Sequence, residues 1–328
     1  MRIESWLAIS MVLSSVACLG TALAITLCWP LLKGFVGRLA PARQSRAMLA
    51  LITMPLLGAL AAPLLAFFPS LLDLFGVVRD HCHHHIHHAF HLCFLHSAPP
   101  SLPWFAIIPA MAPVILLTRG TLAEARMIWR TRALAAEFRA LSTESEDADI
   151  SILASDKPRA MVMGWPVGSI FVSRGMNALL DPAALAVVKE HERAHVTHRD
   201  VFRKSLARIT SCLLFPKTRA RLLEALEIAR ERVCDERAAE VVGDRLLVAE
   251  TLLRIERAHG SRLPGGALGV GAKGLEVRVR ALLDDSPPEP RSHGWAGWLV
   301  LAASVAVIIA AEHMHHGLET LVLSLIGG

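Results

Sequence analysis

The sequence predicts an α+β protein in which four membrane-spanning helices carry one mostly helical domain with a small β-sheet. Three observations lead to this prediction. Hydrophobic residues make up 53% of the 328 residues, and the mean hydropathy is +0.45, which is high for a water-soluble protein. The apolar residues are concentrated in four long runs. The stretch between the third and fourth runs has helical periodicity and three short strand-like pieces.

The four apolar runs are predicted to cross the membrane. They cover residues 6–28, 47–68, 101–117 and 294–311. Each is close to the ~20 residues that span about 30 Å of hydrocarbon, and four runs nearly free of charge favour spans over buried core helices. The first run is interpreted as a retained span, because it is long for a signal peptide and Arg2 is its only basic lead residue. The predicted domains are 1–118 with three spans, 119–293 between the spans, and 294–328 with the fourth span and a short tail.

Basic residues in the loops predict the orientation of these spans. The loop between the first two runs and the stretch after the third run are rich in them: Lys33, Arg38, Arg43, Arg46, Arg119, Arg126, Arg130 and Arg132. The second loop has only Arg79, next to Asp80. The positive-inside rule therefore predicts a multi-pass protein of the cytoplasmic (inner) membrane with domain 119–293 in the cytoplasm. The lipid bilayer is a predicted partner. The same rule accounts for the net charge of +5, so direct binding of nucleic acid is not expected.

The inserted domain is predicted to contain a small sheet followed by helices. A helix over 119–141 continues the third span, and an acidic linker over 142–149 follows. The pieces ISILA, RAMVMGW and GSIFVSR are interpreted as strands of a small antiparallel sheet. The next helix has Asp181 as N-cap and Pro182 in its first turn. Further helices are predicted over 201–214, 221–243, 245–260 and 275–285.

The motif HERAH lies inside the helix that Asp181 begins. His191 and His195 are four residues apart, so their imidazoles share one helix face and are suited to bind one Zn²⁺. Glu192 lies about 100° around the helix, where it can reach a water on the metal without being a ligand. Sixteen histidines make a chance match plausible, so the surrounding residues must decide between a zinc site and an accident.

A third protein ligand is predicted in the segment ERVCD. Glu231 and Asp235 are again four residues apart, so that Glu231 can bind the metal while Asp235 accepts from the distal N–H of a ligand imidazole. The alternative is a solvated charged helix face. His198 is a rival ligand, but three histidines along one helix are poorly placed around a single ion, and Asp200 is expected to end or anchor the helix. GSIFVSR is predicted to offer an edge strand that holds an extended peptide.

These motifs, with the flanking segments IFVSRGM and LEVRVRALL, resemble the integral-membrane zinc peptidases of the BlaR/MecR type. Three spans before the catalytic domain and one after it are also similar to that family. The resemblance implies a gluzincin-like fold and a Zn²⁺ cofactor. It implies His191, His195 and Glu231 as ligands, Glu192 as base and Asp235 as the partner of a ligand histidine. No penicillin-binding sensor domain follows the last span in this sequence, so an antibiotic signal is not expected.

The resemblance implies a signal transducer that cleaves itself or a cytoplasmic repressor of the BlaI/MecI kind. Two alternatives remain at this point. One is an HtpX/Ste24-like protease for quality control of membrane proteins. The other is a metal-sensing membrane receptor whose protease domain is not catalytic.

A second group of histidines lies in the loop over 79–96, which the predicted topology places outside. Its candidate metal ligands are His81, Cys82, His83, His84, His85, His87, His88, His91 and Cys93. His96 and the tail residues His313, His315 and His316 lie on the same predicted side. Imidazole and thiolate are suited to zinc, copper and nickel, so the loop is interpreted as a sensor of outer metal ions or pH. The alternative is a loop that buffers metal without specificity, or histidines tolerated at an interface.

Overall fold

The structure is a computed structural model that describes residues 3–75, 104–144, 147–259 and 270–284. The helices in these ranges are α1 Ile3–Gly37, α2 Pro41–Leu74, α3 Trp104–Ala110, α4 Ala112–Leu141, α5 Arg174–Leu179, α6 Pro182–Thr197, α7 Asp200–Thr210, α8 Pro216–Val242, α9 Arg245–His259 and α10 Val270–Leu283. The strands are β1 Thr143–Glu144, β2 Ile150–Leu153, β3 Ala160–Met163 and β4 Ser169–Ser173, and a 3-10 turn covers Ser211–Leu213. The predicted fourth span and the histidine-rich loop lie outside the described residues.

Three of the described helices are long and apolar enough to cross a membrane, judged by length and composition. They cover Ser5–Gly37, Pro41–Phe68 and Ile107–Leu141. Large apolar side chains on α1 are exposed, with Leu27 at 67% and Leu31 at 81%, as expected for a surface that faces lipid. The helix predicted to continue the third run is confirmed, since α4 is unbroken through Leu141.

The four strands form one sheet in the order β1-β2-β4-β3. β3 and β4 are antiparallel, but β2 and β4 are parallel, so the prediction of an antiparallel sheet is wrong for that pair. The chain leaves β2, forms β3 and returns through a turn with Gly164 at φ +112°. The returning strand β4 then lies between the other two. Its apolar residues explain this central position, because Phe171 and Val172 are completely buried.

The prediction that GSIFVSR is an edge strand is therefore wrong as well. β4 contains Ser169–Ser173 and pairs on both sides, with β2 and with β3. The free edge beside the HERAH helix belongs to β3, whose four residues are all half-buried. Strand propensity in a single sequence does not distinguish a central strand from an edge strand, because strand order depends on contacts distant in sequence.

Helices α7 and α8 pack directly on α1 and α2, the first two long apolar helices. One continuous cluster of buried apolar side chains joins α1, α2, α7 and α8, including Trp29, Ile52, Ala207 and Leu222. A hydrogen bond from the Thr218 hydroxyl of α8 to Thr26 of α1, 3.0 Å long, crosses the same junction. The helix that carries HERAH, α6, packs in turn on α8. The first two long apolar helices thus support α8 directly, and through it α6, the two helices that carry the predicted metal ligands.

Candidate metal centre

The structure brings together the three residues predicted to bind zinc. His191 and His195 lie on α6, and Glu231 lies on α8, with one donor atom from each within 4.8 Å of the others. The two imidazole Nε2 atoms are 3.2 Å apart. Glu231 Oε2 is 3.4 Å from Nε2 of His191, and Oε1 is 3.6 Å from Nε2 of His195. Asp181 starts α6 as predicted, because its carboxylate accepts from the N–H of Ala184.

These separations fit a tetrahedral zinc ion. Bonds of about 2.0–2.2 Å in tetrahedral geometry place neighbouring donor atoms roughly 3.3–3.6 Å apart. The two Nε2 atoms, 3.2 Å apart, and the Glu231 oxygens, with Oε2 3.4 Å from one Nε2 and Oε1 3.6 Å from the other, lie at or next to this range. Two imidazoles and one carboxylate are also the donor set of a catalytic zinc site, which keeps a fourth position open.

The electrostatics of the group also call for a cation. Burial lowers the pKa of His191, but its hydrogen bonds to Asp235 and Glu231 outweigh burial and raise the pKa to about 10. Burial raises the pKa of Glu231, yet its contacts with His191 and Arg278 bring it well below its ordinary value. A proton on His191 supplies the positive charge among these groups, and a metal ion can take its place with release of that proton.

His191 is held by a carboxylate that an arginine holds in turn. Its Nδ1 lies 3.0 Å from Oδ1 of Asp235, a side chain of which only 2% is exposed. Because a carboxylate only accepts, Nδ1 carries a hydrogen toward Asp235, so that loss of the second proton, from Nε2, would leave the Nε2 lone pair for a metal ion. Arg278 of α10 donates to both oxygens of Asp235, at 2.7 Å each, and its Nη1 lies 3.0 Å from Glu231. Arg278 was not identified from the sequence, where it is one of two arginines in α10.

His195 is held in the same way by residues that follow the motif. Its Nδ1 lies 2.7 Å from Oδ2 of Asp200, and Arg230 Nη2 lies 3.2 Å from that oxygen. Arg199 takes the left-handed conformation at φ +51°, which turns the chain so that α7 starts with Asp200 pointing back to His195. The sequence reading assigned Asp200 to ending or anchoring the helix. The structure adds the contact with His195, and the short spacing of five residues between His195 and Asp200 is a signal that could have pointed to it.

The remaining residues near the group have clear positions. His198 caps the end of α6 through its backbone N–H, and it is not part of the three-donor group. Cys234 is completely buried, with its sulfur 3.2 Å from Nδ1 of His195. Together with Asp200 it forms a second set of close donors around that imidazole. A metal ion bound to this second set would use Nδ1 of His195, the same nitrogen that bonds Asp200. It would therefore break the hydrogen bond that turns Nε2 of His195 toward His191 and Glu231.

Glu192 lies beside the donors without being one of them. It is 8% exposed, and burial raises the pKa of its carboxyl group, against the opposing effect of His191 and His195. It lines a cavity of about 460 Å³ together with His191, Glu231 and Asp235. A carboxylate whose pKa is raised above its ordinary value is suited to accept and return a proton.

The same cavity extends from the donors to the free edge of the sheet. Ala160 and Met161 of β3 line one part of it. The far wall is apolar and includes Val187, Val248 and Leu252. An extended peptide can pair with the exposed edge of a strand while its side chains enter neighbouring pockets. The predicted peptide-binding edge therefore lies next to the donors, on β3 in place of β4.

Donors, buried carboxylate and adjoining strand edge define the class of a metallopeptidase site. A comparison with protein-family models agrees, because residues 124–258 match the model of Peptidase family M48. The match includes both HERAH and ERVCD. It supports a metallopeptidase of this kind, and three long apolar helices support association with a membrane. Neither the curated proteins nor the solved structures compared with the chain gave a significant match.

Proposed function

We propose that this protein is a membrane zinc endopeptidase that hydrolyses peptide bonds on the cytoplasmic side. The observation that carries the proposal is the meeting of His191, His195 and Glu231, with the two Nε2 atoms 3.2 Å apart and a Glu231 carboxylate oxygen within 3.6 Å of each, while Glu192 and a strand edge line a cavity beside them. His191, His195 and Glu231 would hold the ion. Zinc bound there would act as a Lewis acid that polarises the scissile carbonyl and lowers the pKa of water.

The chain's own residues supply the rest of the reaction. The edge of β3 binds the substrate backbone, and the apolar wall holds its side chains away from water. Glu192 Oε accepts a proton from the attacking water and gives it to the leaving amine nitrogen. Asp235 and Asp200 keep the two imidazoles in the tautomer that presents Nε2 to the ion.

The experiment that tests this function compares zinc content and proteolysis in purified full-length protein. Glu192→Gln should retain zinc and lose cleavage of the protein's own chain and of an added unfolded protein. Glu231→Ala should lose both zinc and cleavage. Glu190→Gln is the matched control, because that carboxylate bonds Arg193 on the same helix and is not a donor. Proteolysis that persists in Glu192→Gln would contradict the proposed base, and zinc without proteolysis in the wild type would favour a non-catalytic receptor.

We further propose that the protease transduces a signal from the outer side, cleaving itself or a cytoplasmic repressor. A buried contact supports this role. Glu124 on α4, which follows the histidine-rich loop and the short helix α3, accepts from the Ser205 hydroxyl of α7 at 2.8 Å. α7 begins with Asp200, which bonds His195. Movement of α4 would therefore reach the metal centre through one short helix.

The signal is tested by adding zinc, copper or nickel to the outer side of reconstituted vesicles. The added metal should change the rate of self-cleavage in the wild type and leave it unchanged when residues 81–96 are deleted. Regulation that survives the deletion would contradict a sensing role for the loop. Constant cleavage of damaged membrane proteins, unaffected by outer metal, would favour the quality-control alternative.

A further inference from the structure

A second cavity lies where α2 meets α7 and α8, apart from the metal donors. Its volume is about 300 Å³. Three arginines line it, Arg46 from α2, Arg203 from α7 and Arg230 from α8, and no carboxylate is among the described residues that form its wall. Three like charges around one small cavity repel one another, so an anion placed between them would be stabilised.

Arg230 provides an independent sign of a missing acceptor. It is 5% exposed, and its Nε is buried with no hydrogen-bond partner among the described residues. Its other nitrogens are occupied, since Nη1 lies 3.1 Å from Glu227 and Nη2 lies 3.2 Å from Asp200. Buried guanidinium nitrogens are normally satisfied, so the bare Nε indicates an acceptor supplied from outside the chain.

The depth of the cavity indicates where such an acceptor comes from. The apolar run of α2 begins at Ala47, immediately after Arg46. This places Arg46 at the level of the lipid headgroups if α2 spans the bilayer. The rest of the wall is mostly apolar, with Leu49, Ala50, Leu206 and Leu226 beside the hydroxyl residues Ser45 and Thr53. Arginines above an apolar wall match a group with a phosphate at one end and a hydrocarbon chain at the other, and basic pockets at the cytoplasmic ends of membrane helices are known sites for anionic headgroups.

We infer that this cavity binds a phosphate group, as the headgroup of an anionic phospholipid or as free phosphate. The phosphate oxygens accept hydrogen bonds from the guanidinium groups of Arg46, Arg203 and Arg230, for which arginine is the best suited side chain. Because Arg230 also contacts Asp200, which bonds His195, two residues separate the bound phosphate from a proposed metal donor. The binding itself does not depend on the proposed peptidase activity.

The test uses full-length protein in a neutral detergent and follows its thermal unfolding. The added probes are short-chain phosphatidylglycerol, phosphatidylcholine of the same chain length, and inorganic phosphate. The binding variant is Arg46→Gln with Arg203→Gln, because neither residue contacts the metal donors and Arg46 is exposed. The control variant is Arg126→Gln with Arg130→Gln, which removes the same charge from exposed positions of α4 outside the cavity.

We expect phosphatidylglycerol to raise the unfolding temperature saturably in wild type and in the control variant. Its apparent affinity should fall at least about tenfold in the binding variant, since two charge-assisted contacts are lost. Stabilisation by phosphatidylglycerol alone identifies a lipid headgroup, and equal stabilisation by inorganic phosphate identifies the free ion. Equal effects of phosphatidylcholine and phosphatidylglycerol, or an unchanged affinity in the binding variant, would overturn the inference. Unfolding without added probe serves as the check that each variant folds.

Discussion

Replacing Asp235 by Asn tests whether the carboxylates that hold the two histidines, Asp235 and Asp200, set the affinity for the metal. Asp235 is 1% exposed and stands between His191 Nδ1, at 3.0 Å, and Arg278, which donates to it twice at 2.7 Å. Although burial raises the pKa of Asp235, the hydrogen bonds from Arg278 and His191 lower it overall, so the carboxylate is ionised at neutral pH. Asparagine keeps the shape and removes the charge. It also lets the amide present N–H to His191, which then no longer needs to carry its hydrogen on Nδ1.

Two magnitudes follow from these contacts. Loss of a residue that orients a metal-binding histidine costs about 10–100-fold in metal affinity, which corresponds to roughly 1.4–2.8 kcal/mol. Loss of one partner of a buried ion pair costs about 3–5 kcal/mol of folding free energy. We expect the lower end of that stability range, because the amide oxygen of asparagine still accepts one hydrogen bond from Arg278.

The assay is a competition titration of zinc against a chromophoric chelator, with urea unfolding measured in parallel. Glu236→Gln is the control. Glu236 neighbours Asp235 and pairs with Arg245, which also holds the backbone of α10 at Leu282, but it does not contact a donor. Its loss should lower stability slightly and leave zinc affinity unchanged. If Asp235→Asn unfolds more easily but binds zinc as tightly as wild type, the carboxylate only joins α10 to α8, and the orienting role is refuted.

Three further predictions follow from other contacts. Asp200→Asn should weaken zinc binding by a similar factor, measured by the same titration, and an effect on stability alone would count against its contact with His195. Gly120→Val should lower the unfolding temperature, with a loss of about 1–3 kcal/mol in the free energy of unfolding, because a Cβ added at Gly120 would lie 3.0 Å from the sulfur of Cys212. Gly37→Ala, with open space around Gly37, is the control. Hydrogen bonding to Arg193 lowers the pKa of Asp149, so that pair stabilises the fold above about pH 4 and loses its effect as pH falls through the folded pKa. Urea unfolding across this range should therefore show a shallower pH dependence in Arg193→Met than in wild type.

The local parts of this fold were predictable because their signals lie close together in the sequence. Asp181 and Pro182 begin α6 as expected, and Gly243 ends α8 at φ +79°. The spacing of four residues in HERAH and in ERVCD places each pair of side chains on one helix face. Once α6 packs on α8, this single helix–helix interface brings the three donor residues together. The bounds differ slightly, as α8 begins at Pro216 and not at residue 221.

The features that were not predicted from the sequence depend on contacts between residues distant in sequence. The sheet order was not predictable, because the choice between β2 and β3 as neighbours of β4 is made by burial of Phe171 and Val172 in the folded domain. Arg278 was missed for a similar reason. Forty-three positions separate it from Asp235, and nothing in the pattern of α10 distinguishes it from Arg280, which pairs on the surface with Glu276.

Both histidines of the proposed metal site are connected to the long apolar helices or to the segment before the predicted fourth span. His195 reaches Arg230 through Asp200, and Arg230 lines the cavity beside α2. His191 reaches Arg278 through Asp235, and α10 ends at Leu283, shortly before the fourth predicted span. Coupling between two sites is reciprocal in free energy. If docking of these helices orients the histidines, then bound zinc must strengthen the docking by the same amount. The membrane contacts and the metal centre are therefore expected to respond as one unit, so that a signal acting on the helices changes metal affinity and chelation of the metal loosens the helices.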